Sequence, residues 1–248
     1  MLNRIIEKYI TDFNEKRNDP ALKDVIVKNS IPVIWFGDVN GYLNSENKII
    51  TVGLNPSNAE FPEDYPQKRF DYIDFEEPVD STMIERLKCT LNSYFEKEPY
   101  RRWFGSGEKV LTCFDASYYS CTGKRNQAIH IDIYSAIATN PTWGKLDKID
   151  RCIKPKIQNV ELFKELLIIL NPDVILVSTN KDIFNEVFVK SLMFEHNEHD
   201  EITENIYYVR KFYKNEKTLY WITNIRGTAF GPRKEFIENS IRILNGGN

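Results

Sequence analysis

The sequence has no long apolar run. No stretch approaches the roughly 18 unbroken hydrophobic residues that a membrane-spanning helix needs, so no membrane span is expected. Its four cysteines, Cys89, Cys113, Cys121 and Cys152, are scattered, and none forms a Cys-x-x-Cys pair. That spacing speaks against a zinc or iron–sulfur site, and reduced, mostly buried thiols are expected instead. Repeats and low-complexity linkers are missing too. One domain over residues 1–248 is the expectation, with 1–30 as an N-terminal helical extension. Net charge is small: 33 Lys and Arg against 36 Asp and Glu leave −3. This neither demands nor excludes nucleic acid, because only the local field at a binding face matters. The start lacks the unbroken apolar core of a signal peptide. "MLNRIIEKYITDFNEKR" sets Ile5, Ile6, Tyr9, Ile10 and Phe13 at helical spacing with charges between them. That pattern predicts an amphipathic helix and a cytoplasmic protein.

What is present is enough for a full core: 42% of residues are hydrophobic and 13% aromatic. Charge is segregated. Basic runs lie at 100–109, 122–126 and 226–234, and acidic ones at 71–80 and 195–204, although any single run reads equally well as a solvated loop. Apolar runs predict strands at 31–37, 48–53, 127–136 and 173–179, with a turn at Asn40-Gly41. Segments 205–215 and 218–224 predict a hairpin. Helices are expected at 81–95, N-capped by Ser81, at 159–170, and at 231–244 with Pro232 in its first turn. Buried strands alternating with helices make an α/β fold with a central, mainly parallel sheet.

One stretch stands out, "KIITVGLNPSNAEF" from Lys48 to Phe61. A buried strand runs directly into Gly53, Leu54, Asn55 and Pro56. Open α/β sheets hold ligands beyond the carboxyl ends of their strands. Pro56 disfavours the helical region for Asn55 and keeps it extended. Gly53 permits close approach, and Ser57 and Asn58 offer polar groups or a helix cap. The plain alternative is a strand followed by an Asn-Pro turn.

"VGLNPS" resembles the first signature of the uracil-DNA glycosylase superfamily in its Gly-x-Asn-Pro branch, the form carried by mismatch-specific and single-strand-selective members. The resemblance continues in order. "AIHIDIYSAIATNP" (128–141) is similar to the strand whose end reads the flipped base. "VELFKELLIILNPDVILVST" (160–179) looks like the helix and strand before the last motif. "YWITNIRGTAFGP" (220–232) falls where the second signature loop is placed. That loop departs from the family: Asn224 is kept, but the proline expected after it is replaced by Ile225.

The resemblance implies a single-domain, three-layer α/β/α fold and a DNA glycosylase that flips a nucleotide out and hydrolyses its N-glycosidic bond. Asn55 would position the attacking water, and the neutral amide orients water more than it deprotonates it. Asp132 aligns with the base-reading position. His130, two residues earlier, would orient it or protonate the leaving base, with a core histidine as the plain reading. Base-binding candidates are Gly53, Leu54, Phe61, Phe70 and Asp132; Tyr72, Trp103 and Phe104 are further aromatic candidates whose plain reading is packing. DNA-binding candidates are Ser57, Arg101, Arg102, Asn224, Arg226, Gly227, Arg233 and Lys234. No cofactor and no metal are expected: His196 and His199 have an HxxH spacing but lie in an acidic segment read as solvated. The expected partner is DNA, duplex or single-stranded, a phage genome among the possibilities; no membrane is involved, and a monomer is expected.

Asp132 bears on the base. Uracil shows an N3–H donor and an O4 acceptor on its pairing edge, whereas cytosine shows an N4–H₂ donor and an N3 acceptor. An ionised aspartate accepts from N4–H₂ and repels O4. Removal of ordinary cytosine would destroy the host genome, so a hydroxymethylated or glucosylated cytosine of phage DNA is the favoured substrate. The alternatives are a uracil or mismatch glycosylase of base-excision repair, an inactive DNA-binding protein of the same fold, and an enzyme acting on free nucleosides or nucleotides.

Overall fold

A computed structural model describes residues 1–75, 79–222 and 234–246. In chain order the helices are α1 (Leu2–Arg17), α2 (Val39–Leu43), α3 (Ser81–Asn92), α4 (Arg101–Leu111), α5 (Ile153–Ile157), α6 (Val160–Leu170), α7 (Lys181–Phe184) and α8 (Lys234–Leu244). The strands are β1 (Ile49–Gly53), β2 (Ala116–Ser117), β3 (Asn126–Asp132), β4 (Val174–Val177), β5 (Glu195–Glu204), β6 (Tyr207–Lys214) and β7 (Lys217–Ile222). These elements form two compact units, each assembled from three stretches of chain. The first comprises Met1–Gly37, Leu54–Tyr100 and Ile131–Leu170; the second comprises Asp38–Gly53, Arg101–His130 and Asn171–Asn248.

The second unit carries a mixed seven-stranded sheet in the order β2-β3-β1-β4-β7-β6-β5. β1 pairs parallel with β4, β4 with β7, and β2 with β3. The runs "IITVG" and "VILV" are apolar because neighbours cover both faces, as in other parallel sheets. The expected hairpin is present as antiparallel β6 and β7, with Asn215 at φ +54° in the turn between them. β5 extends it as an edge. The acidic segment 195–204, expected to be solvated, is this strand: β6 pairs with one side of its backbone, with an irregularity between His196 and Glu201, while its mostly exposed charged side chains blunt an edge that would otherwise invite other chains. His196 Nδ1 lies 2.8 Å from the Lys211 carbonyl oxygen, and its ring stacks on Phe212. A second difference is α4. Its sequence reads as a basic loop, yet Phe104, Val110 and Leu111 turn one face inward. Asn40-Gly41 is likewise not a turn but part of α2, whose cap is the Asp38 side chain accepting from the Asn40 N–H. β3 stops at Asp132, short of residue 136.

The first unit is built on α1, which packs on α3 and α6. Ile5, Ile6, Tyr9, Ile10 and Phe13 are buried, as their spacing predicts. Asp12 joins the packing by accepting from Lys16 at 2.6 Å and from Asn159 at 2.7 Å. Segment 31–37 is buried but forms no strand. Pro32 has no N–H to give, and its neighbours bond irregularly: Val33 N–H to the Ala136 carbonyl, Gly37 N–H to that of Leu91, and the Trp35 indole to Asn92. α3 is capped by Asp80, whose carboxylate accepts from the Met83 N–H at 2.7 Å, and not by Ser81. It ends at Asn92, and a 3₁₀ turn over Tyr94–Glu96 follows. α6 lies where expected and stops at Asn171, which takes a left-handed conformation at φ +46°. The expectation of mostly buried thiols fails: Cys89, Cys121 and Cys152 are exposed and Cys113 is half-buried. Among the described residues no helix is long and apolar enough to cross a membrane.

Candidate functional site

The chain leaves β1 at Gly53 and enters the first unit with Leu54 and Asn55. Here the backbone is pinned to the segment that follows β3. The Leu54 carbonyl accepts from the Tyr134 N–H, the Pro56 carbonyl from the Thr139 N–H, and the Asn58 N–H donates to the Thr139 carbonyl. Ser57 caps the 3₁₀ turn Asn58–Glu60. The Asn55 amide is fixed within this frame. Its Nδ2 donates to the Pro56 carbonyl at 2.7 Å, to the Ile137 carbonyl at 3.0 Å and to Thr139 Oγ1 at 3.2 Å. Two of those partners are pure acceptors, so the amide cannot flip without setting oxygen against oxygen. Oδ1 is therefore held on the opposite side. It is buried and accepts from no described residue.

Five residues along the chain is Glu60, only 4% exposed. Its Oε2 accepts from the Tyr94 hydroxyl at 2.5 Å, and that hydroxyl in turn accepts from the Tyr100 N–H. Arg69 donates from Nη1 to the Ala59 carbonyl, while its buried Nε lies 3.9 Å from Glu60 Oε2 with no acceptor among the described residues. Burial pushes the Glu60 carboxyl up to about 7; the Tyr94 hydrogen bond and the Arg69 charge oppose the shift, and the Asp132 carboxylate adds to it. Asp132, the last residue of β3, is 8% exposed and acts through space on the Tyr9 phenol as well, raising it together with burial. Phe61 and Phe70 do not offer open faces. They stack on each other at 5.2 Å, and Phe70 also stacks on Tyr94 at 5.1 Å, so both rings belong to the packed aromatic cluster around Tyr94.

His130 belongs to the second unit. Its Nδ1 is 2.7 Å from Thr51 Oγ1, which is 2.6 Å from the Tyr118 hydroxyl, and its ring meets Phe104 edge-on. A threonine hydroxyl has one proton to give, so Thr51 donates to at most one of these two partners. Val52, Trp103, Gly107 and Ser178 complete the walls of an adjoining cavity of about 10 Å³. That is room for one water and not for a nucleobase.

The remaining candidates are spread out. Gly53 is buried at the end of β1. Arg101 and Arg102 are exposed at the start of α4, and Lys234 opens α8. Tyr72 is exposed. Asn224, Arg226, Gly227 and Arg233 lie outside the described residues. Among the described residues no three His, Cys, Asp or Glu side chains gather as a metal site. Sequence reasoning missed Glu60, Arg69, Tyr94 and Thr139. A signal for the first was there: an acid between Ala59 and Phe61, close after the Asn-Pro step. Comparison with protein-family models, with curated proteins and with solved structures finds no match to this chain.

Proposed function

We propose that the protein is a DNA glycosylase that hydrolyses the N-glycosidic bond of a flipped nucleotide, with Asn55 holding the attacking water. The observation that carries this reading is the orphaned Asn55 Oδ1. Leaving a buried acceptor unsatisfied costs roughly 1–3 kcal/mol, and such a group calls for a reason. A water donating to Oδ1 removes the deficit. The amide, locked by three acceptors on its nitrogen side, then fixes that water's position without a conformational search. Extrusion of the nucleotide costs a few kcal/mol and brings C1′ within reach. The water oxygen bonds to C1′, the C1′–N bond breaks, and its electron pair leaves with the base. The uracil-DNA glycosylase-like three-layer arrangement is part of this proposal, as is DNA as the partner.

Asp132 supports a cytosine-type base. Its carboxylate accepts from an exocyclic N4–H₂ and has no donor for O4 of uracil. The favoured substrate is therefore a hydroxymethylated or glucosylated cytosine in phage DNA. The test uses duplexes carrying uracil, cytosine, hydroxymethylcytosine or glucosylated hydroxymethylcytosine, with alkali cleavage of abasic sites as the readout. Release of a modified cytosine supports the reading in full. Release of uracil alone overturns the base assignment and keeps the glycosylase. Release from none overturns both.

A further inference from the structure

A hydrolysis needs somewhere to put a proton. Water that bonds to C1′ must lose one, and a carboxamide such as Asn55 has no basicity to accept it. Asp132 is already committed, in the reading above, to the base. Among the described residues, Glu60 is an enclosed carboxyl on this same segment, and its environment is unusual for a packing residue.

We propose that Glu60 is the proton acceptor of this site, taking a proton from the water that Asn55 holds. The inference rests on the glycosylase reading and adds to it the group that makes the water nucleophilic. Geometry supports it in three ways. Glu60 follows Asn55 on the same pinned segment, its own N–H bonded to the Ser57 carbonyl. Of the two carboxylate oxygens, Oε2 accepts from the Tyr94 hydroxyl, which leaves Oε1 as the oxygen assigned to the water. The Arg69 Nε, buried and lacking an acceptor, lies just beyond hydrogen-bonding distance of Oε2. It favours the ionised form without forming the tight pair that would quench basicity.

Among the described residues, three charged or titratable groups act on this carboxyl. Tyr94, from the 3₁₀ turn after α3, donates to it; Arg69, after the short turn Pro66–Lys68, attracts its anion; Asp132, at the end of β3, repels it. Together with burial they leave the group half-ionised at about pH 7. A base poised near the operating pH is both free to accept and strong enough to do so. In the step, a water O–H bond breaks toward Glu60 Oε1 as oxygen bonds to C1′, and the glycosidic electron pair departs with the base. The base then takes up a proton from solvent, and Glu60 returns its own to solvent.

The experiment is the pH profile of single-turnover base release from the duplex that the unmodified protein cleaves. The unmodified protein should show a rate that rises through an inflection near pH 7 to a plateau. Glu60→Gln should lose about 10²–10⁴-fold at the plateau and lose the inflection, with DNA affinity retained. Tyr94→Phe removes a hydrogen bond that favours the anion, so it should move the inflection upward; this variant decides the matter if the Gln variant does not fold. Unchanged rate and inflection in Glu60→Gln, or an unmoved inflection in Tyr94→Phe, would overturn the role of Glu60 while leaving the glycosylase standing. Absence of base release by the unmodified protein from all four duplexes would overturn both.

Discussion

Two polar clusters in this molecule, each with a buried tyrosine hydroxyl, differ in how their hydrogen bonds are satisfied. In the second unit, His130, Thr51 and Tyr118 form a chain of short contacts, walled by Phe104 and beside a cavity with room for one water. In the first unit, Asn55 and Arg69 each bury a polar atom that no described residue satisfies, and Glu60 is buried with its Oε2 on the Tyr94 hydroxyl. The sequence singles out Asn55 and leaves His130 either a site group or a core histidine. The short contacts of His130 fit the core reading. A satisfied buried network stiffens a core, whereas an unsatisfied one is paid for in stability and asks for a ligand.

The comparison breaks most directly by exchanging the two outcomes. Asn55→Ala should reduce single-turnover base release by about 10²–10³-fold, the range for removing one preorganised polar group, with DNA affinity little changed and the rate read on the folded fraction, because the variant also loses three hydrogen bonds. Thr51→Val should do the opposite. It removes a short contact from both Tyr118 and His130 and should cost about 1–3 kcal/mol in denaturant unfolding while the folded fraction keeps its rate.

The next effect concerns stability against pH. Glu60 titrates at about 7 in the folded chain and near 4.5 when unfolded. The folded state therefore holds a proton that the unfolded state has released between those values, and stability falls as pH rises across that window. The loss is about 3 kcal/mol once both states are ionised. Denaturant midpoints at pH 5 and pH 8 should differ in that direction, and Glu60→Gln should remove this part of the slope. A smaller effect belongs to Asp132→Asn, which supplies a donor for O4. It should shift preference toward uracil by about 1–3 kcal/mol, read as the ratio of release rates from uracil and modified-cytosine duplexes. Least of all, Arg101→Ala should lower the slope of log affinity against log salt by about one unit, with the release rate of bound DNA unchanged.

How much of this was legible follows from what each signal encodes. α1, β1, α6, β4 and the β6–β7 hairpin were readable because apolar periodicity and turn residues report burial directly. Segment 31–37 was misread because an apolar run reports burial but not pairing, and Pro32 removes a donor. α4 was hidden by Gly105 and Gly107 among its basic residues, although tertiary packing of Phe104, Val110 and Leu111 outweighs that weak propensity. β5 carries no apolar pattern and owes its existence to its neighbour. For the site, Asn55 stood in a recognisable motif. The Glu60 cluster did not, because Tyr94 lies 34 residues away and only folding brings its hydroxyl to the carboxylate.

The central claim is that Asn55 holds a hydrolytic water against a flipped nucleotide. Its most direct test is single-turnover base release from a duplex containing glucosylated hydroxymethylcytosine, with the unmodified protein and Asn55→Ala side by side at equal bound DNA. The account predicts alkali-labile sites with the former and a rate about 10²–10³-fold lower with the latter. Equal rates from the two proteins would contradict it.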